Sequence, residues 1–233
     1  MPKNKTQSHL KLGELFRAAA RDYFYLLNRD YPERPILKVI GDRYRLSRNQ
    51  RQILFRGIAS QANARSRKAK IRRDIRGEKI YIDGYNVLLT VMNYFLGKMV
   101  FIANDGILRD VGENYGSIRD KDVFERAVDL LLDWLKTEGS DFLTIYLDSP
   151  VSHSGLHMKE MEQKMAGLAI NGAVVLARSA DYELKRKTDG MIATSDSIII
   201  AVSPCPVVDL ARHALESKFS VDFIHLGDLL PDS

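Results

Sequence analysis

KIYIDGYNVLL, residues 79–89, places the apolar triplet Ile80-Tyr81-Ile82 directly before an aspartate and a glycine directly behind it. An aromatic (Tyr85), an amide (Asn86) and a new apolar run follow. A short apolar run that stops at a carboxylate reads as a buried strand carrying Asp83 to a sheet edge. Gly84 then permits a tight exit into the next element.

Outward from this point the pattern alternates. Strand candidates are Ile80–Ile82, Phe142–Leu147, Val174–Ala177, Met191–Thr194 and Phe223–Leu226, separated by helix-like segments at 120–139, 155–172, 179–187 and 207–218. Strands rich in Ile, Val and Leu that alternate with helices imply a parallel sheet covered on both faces, so the fold class is α/β. One insertion breaks the alternation: Asp105-Gly106 sits between two apolar runs within 98–116, a hairpin signal.

Upstream, Leu10, Leu12, Leu15, Phe16, Ala19, Ala20, Tyr23, Leu26 and Leu27 recur at helical spacing. The proline-bearing stretch 28–35 ends that helix, and a second short helix carries Ile36, Leu37, Val39 and Ile40. Ser47 followed by Gln50 is a capping-box signature opening a third helix, which buries Ile53, Leu54 and Ile58. A helix-turn-helix is conceivable, but a plain three-helix bundle fits better. The expected division is a basic all-α domain at 1–76 and an α/β domain at 77–233.

Charge sharpens that division. Residues 1–77 hold 20 Lys+Arg against 6 Asp+Glu, a net of +14, while 78–233 hold 15 against 24, a net of −9. Such asymmetry points to a polyanion partner for the basic half, with Arg65, Arg67, Lys68, Lys70, Arg72 and Arg73 as its nucleic-acid-binding candidates. No apolar segment is long enough to span a membrane, and the N-terminal residues lack a secretory pattern. A single cysteine, Cys205, excludes an internal disulfide, so the expectation is a cytoplasmic protein with no membrane partner.

The carboxylates carry the chemistry. In an open parallel sheet the functional crevice lies beyond the carboxyl ends of the strands. Asp83, Asp148 and Asp196 follow three strand candidates, and Asp181 opens a helix after a fourth. Each alone reads as a helix cap or turn former. Together they need positive compensation, and oxygen-only ligands suit Mg²⁺ or Mn²⁺. Such an ion polarises a phosphodiester oxygen and generates a hydroxide nucleophile near neutral pH. Asp189 competes with Asp196. If 188–195 is a helix and 197–202 the strand, Asp189 takes the site; the Asp-Gly turn pair favours Asp196.

At YIDGYNVL (81–88) and ATSDS (193–197) the chain resembles the PIN-like nuclease superfamily, in particular its NYN and YacP-like branch. The resemblance covers about residues 79–226. It implies a Mg²⁺- or Mn²⁺-dependent ribonuclease with a helix-flanked parallel sheet. Asp83, Asp148, Asp181 and Asp196 would be catalytic, with Asp83, Asp148 and Asp196 on the metal and Asn86 orienting an acid or a water. The hairpin at 98–111 departs from the family core and could cover the site. A basic helical half joined to such a domain also resembles an uncharacterised prokaryotic family.

Three readings follow: a nuclease acting on RNA such as tRNA or rRNA, a non-catalytic RNA-binding module, and a phosphatase of the haloacid-dehalogenase type. The last expects a second aspartate where Tyr85 stands. Oligomeric state is open, a homodimer included. His153, His157, His213 and Cys205 give no metal or nucleophile signal, and no glycine-rich nucleotide fingerprint occurs.

Overall fold

The computed structural model describes residues 12–112, 118 and 120–231. In chain order come helices α1 (Glu14–Leu27), α2 (Glu33–Arg43), α3 (Arg48–Gly57) and α4 (Gln61–Lys68), then β1 (Lys79–Asp83) and α5 (Gly84–Phe95). The strands β2 (Val100–Ile102) and β3 (Leu108–Asp110) precede α6 (Lys121–Glu138), β4 (Phe142–Asp148), α7 (Ser154–Gly167) and β5 (Gly172–Ala177). The chain ends with α8 (Ala180–Lys185), β6 (Met191–Ala193), α9 (Ser197–Val202), α10 (Leu210–Lys218) and β7 (Ile224–His225). These divide into two units: residues 12–69, 93–112 and 222–231, and residues 70–92, 118 and 120–221.

In the second unit four strands run parallel in the order β5-β4-β1-β6. Ile80 and Ile82 on β1, and Leu143, Ile145 and Leu147 on β4, are buried, the alternate-residue burial that a covered strand requires. Helix α6 buries Val123, Ala127, Leu130, Leu131 and Trp134, while Asp129 and Asp133 face Lys164 and Lys218. Its apolar stripe is the 3.6-residue period of an amphipathic helix. Gly139 in the left-handed region ends it.

Gly84 is required for a reason other than turn geometry. A Cβ there would lie 2.5 Å from a Leu147 methyl and 2.8 Å from the Tyr146 carbonyl oxygen, so helix α5 starts flush against β4. With no side chain to hold the two apart, helix follows strand without a loop. Gly190 combines a positive φ of 65° with a Cβ position 2.5 Å from the Lys79 carbonyl oxygen. That fits the Asp-Gly turn entering β6.

The first unit packs Phe16, Ala19, Ala20 and Tyr23 of α1 against Ile36 and Ile40 of α2 and Ile53 and Leu54 of α3. Phe101, Leu226 and Leu229 complete this core. The capping box opens α3: Ser47 Oγ accepts from the Gln50 amide, and Gln50 Oε1 accepts from the Ser47 amide at 2.9 Å. The basic run does not extend that helix, because Ser60 caps a separate helix, α4.

The hairpin forms, β2 pairing with β3 antiparallel. It belongs with the helical unit, and so does the last strand. Residues 223–226, expected in the parallel sheet, contribute β7, which pairs with β2 in a separate three-stranded sheet. Sequence periodicity marks a strand but not its partner. At the hairpin turn, Asp105 is fully buried and gripped by Arg109 through two bonds of 2.8 Å, with Arg67 at 3.3 Å. Those guanidinium groups hold its carboxyl below the usual range against the cost of burial.

Candidate functional site

Because all four strands of the second unit run parallel, the carboxyl end of β1, the carboxyl end of β4 and the loops leaving β5 and β6 share one edge. Asp83 closes β1 and Asp148 closes β4. Asp181 lies in the first turn of α8, after β5, and Asp196 is the N-cap of α9, after β6. The structure thus places all four sequence-predicted acids at that edge. Asp189 stands at the opposite one, beside the start of β1, where it accepts from Lys79 Nζ and from the Tyr81 hydroxyl, each at 3.1 Å. Residues 197–202 are helix, not strand.

Asp83 is the buried member, 4% exposed. Burial pushes its carboxyl up to about 8, a hydrogen bond from Thr194 works against that rise, and the negative charges of Asp181, Asp148 and Asp196 add to it. Asp181 is also raised, by burial and then by Asp196 and Asp148, with Lys185 in opposition. At Asp83 and Asp181 alike, the neighbouring carboxylates add to a rise that burial begins.

The hydrogen bonds show how the edge is organised. Thr194 Oγ1 donates to Asp83 Oδ2 at 2.9 Å and accepts from the Asp196 amide at 3.1 Å. Asn86 Oδ1 accepts from the Ser195 amide at 2.7 Å and the Ser195 hydroxyl at 2.9 Å. Asn86 therefore holds the segment after β6, rather than Asp83 itself. Asp148 Oδ1 accepts from the Ala180 amide at 2.9 Å, and Asp196 Oδ1 accepts from the Ile198 and Ile199 amides at 2.7 and 3.0 Å. Both acids serve helix N-termini, where a carboxylate is favoured by the orphan amides and the dipole.

One oxygen on each of Asp83, Asp148 and Asp196 has no hydrogen-bond donor among the described residues. These are hard donors of the kind Mg²⁺ and Mn²⁺ take. Among the described residues no three carboxylate, imidazole or thiol groups stand drawn together as a ready-made metal cage. Asp181 is turned to Lys185 at 3.6 Å, an exposed pair one helical turn apart.

Thr194 and Ser195 are the positioning residues that sequence reasoning left without a role, although both lie in the ATSDS stretch. Among the basic candidates, Arg65, Lys68, Arg72 and Arg73 are exposed. Arg67 is engaged by Asp105. Lys70 Nζ donates to the carbonyls of Ile200, Ala201 and Ser203 at 2.8, 3.1 and 2.7 Å, which closes the C-terminus of α9. Of the histidines, His157 Nδ1 meets the Tyr85 hydroxyl at 3.0 Å, and its ring stacks on Phe124. His213 stacks on Trp134.

Fold and site define a two-part protein: an α/β unit with an acidic strand edge, and a basic helical unit. Residues 72–213 match the family described as Domain of unknown function (DUF5616), and residues 15–70 match Protein of unknown function (DUF434). The chain belongs to the DUF5616 family, joined to a DUF434 region as the basic helical half led one to expect. An uncharacterised protein of Methanocaldococcus jannaschii is 36% identical over 201 residues, covering 85% of this chain and 95% of that protein. Neither matching family is a PIN or NYN family, and no solved structure matches the chain.

Proposed function

We propose that this chain is a PIN-like, Mg²⁺- or Mn²⁺-dependent ribonuclease of the cytoplasm. The observation that carries the reading is the placement of Asp83, Asp148, Asp181 and Asp196 at the carboxyl edge of one parallel sheet.

Asp83, Asp148 and Asp196 would hold the ion, each through the oxygen that has no donor among the described residues. When bound, the ion supplies Lewis-acid polarisation of a phosphoryl oxygen and lowers the pKa of a water. Thr194 fixes the rotamer of Asp83 through its 2.9 Å bond, and Asn86 fixes the segment that carries Thr194 and Asp196. Asp181, exposed and with raised proton affinity, would accept the proton of the attacking water. Exposed arginines of the helical half would hold the RNA backbone.

Incubating labelled RNA with Mn²⁺ and either wild type or Asp83→Asn tests this. Metal-dependent cleavage that the substitution abolishes supports the reading; equal cleavage by both proteins refutes it. A non-catalytic RNA-binding module is the second reading. It is favoured by the capping bonds that occupy one oxygen each of Asp148 and Asp196. It predicts salt-sensitive RNA affinity without metal-stimulated cleavage.

A further inference from the structure

Helix α1 carries an exposed stripe that neither the core nor the acidic edge uses. Its buried face is Phe16, Ala19, Ala20 and Tyr23. On the opposite side Arg17, Arg21 and Tyr25 follow at four-residue steps, which stack along one face roughly 6 Å apart. Arg29, just past the helix, continues the row: its guanidinium lies 4.7 Å from the centre of the Tyr25 ring. Tyr25 is 56% exposed and Tyr31 is 54% exposed, so two large rings face solvent on a protein segment rich in arginine.

Tyrosine and arginine also serve protein-docking faces; what favours a polyanion here is the net charge of +14 over residues 1–77. Among the described residues, the nearby acids leave two arginines of the stripe without an ion pair. Glu14 is 3.9 Å from Arg17, Asp22 is bonded to the Tyr44 hydroxyl at 2.6 Å, and Asp30 is exposed in a left-handed turn. Among the described residues no carboxylate pairs with Arg21 or Arg29. Arg21 Nε donates to the Leu229 carbonyl at 3.2 Å, a bond that does not cancel its charge.

We infer that the Arg17–Arg21–Tyr25–Arg29 stripe is a binding platform for single-stranded RNA. Arginines meet the phosphates, and Tyr25, backed by Arg29, stacks on an unpaired base. Stacking on an aromatic face combined with a cationic track is the chemistry of sequence-tolerant single-strand binding. This rests on the nucleic-acid reading above and assigns it a site apart from the residues at 65–73. A duplex gives Tyr25 no free base face, so single strands are the partner that fits.

The test is fluorescence anisotropy with the full chain, a short fluorescein-labelled oligouridine and EDTA, so that binding is read without cleavage. Tyr25→Ala should weaken binding about tenfold, Tyr25→Phe should leave it near wild type, and Arg29→Glu should weaken it and flatten its salt dependence. Circular dichroism confirms that each variant is folded. Unchanged affinity in Tyr25→Ala overturns the proposal, as does tighter binding to duplex RNA or to anionic lipid vesicles. Tyr25-dependent binding by a protein that cleaves nothing would sustain this platform while sinking the nuclease reading. Cleavage with Tyr25-independent binding would do the reverse.

Discussion

Thr194 Oγ1 donates to Asp83 Oδ2 across 2.9 Å and ties the end of β6 to the end of β1. It is the one neighbour that opposes the rise in Asp83 proton affinity. Thr194→Val removes that bond and leaves the Asp196 amide without its 3.1 Å acceptor. The variant should lose about 1–3 kcal/mol of stability, and the acid limb of its cleavage profile should move upward by about one pH unit. Thr194→Ser should restore both. Chemical denaturation and a pH–rate series measure the two effects.

Asn86 has a different task. Its side-chain oxygen accepts two donors from Ser195, the amide at 2.7 Å and the hydroxyl at 2.9 Å. Asn86→Ala orphans them, so the expected outcome is a stability loss of about 1–3 kcal/mol together with weakened metal binding. A loss of cleavage with unchanged folding and unchanged Mn²⁺ affinity would point instead to direct contact with substrate.

In the metal-free protein two buried groups couple stability to pH with opposite signs; they offset each other between about pH 4 and 6.5, and from there to pH 8 Asp83 alone lowers stability. Asp83 titrates near 8 when folded and near the ordinary carboxylate value when unfolded. Between those limits the folded state holds the extra proton, so its contribution is complete in acid and is lost as pH rises toward 8. His213 is buried, and its imidazole is pushed down to about 4. There the unfolded state binds more protons, so stability falls as pH drops from about 6.5 toward 4. Thermal melts in EDTA should show Asp83→Asn gaining stability over wild type at pH 8 and far less at pH 5. His213→Phe should gain most at pH 5.

The sequence showed most of the acidic edge. An aspartate after an apolar triplet, repeated at Asp148 and near Asp196, suffices to place carboxylates once the strands are parallel, and the Asp-Gly pair at 189–190 put Asp189 at the other end. Partnership was harder to read. Ile224 and His225 look like any short strand, and only the three-dimensional pairing with β2 assigns them to the helical unit. Side-chain direction was also hidden. Lys70 sits in a basic run like its neighbours, yet it turns inward to three carbonyls of the α9 terminus.

That inward turn gives a prediction that separates structure from binding. Lys70→Met should destabilise the fold by about 1–3 kcal/mol and leave the salt slope of RNA binding unchanged. Arg72→Ala with Arg73→Ala should do the opposite, with little change in stability and a slope lower by about one per lost phosphate contact. Affinity measured at several salt concentrations, beside urea denaturation, distinguishes them.

The most direct measurement is a crystal structure of the protein soaked with Mn²⁺, read by anomalous scattering. The account predicts one Mn²⁺ peak bonded to Asp83, Asp148 and Asp196, and none at that edge in Asp83→Asn. A wild-type protein that cleaves RNA while its edge stays free of Mn²⁺, or that binds the ion elsewhere, would contradict it.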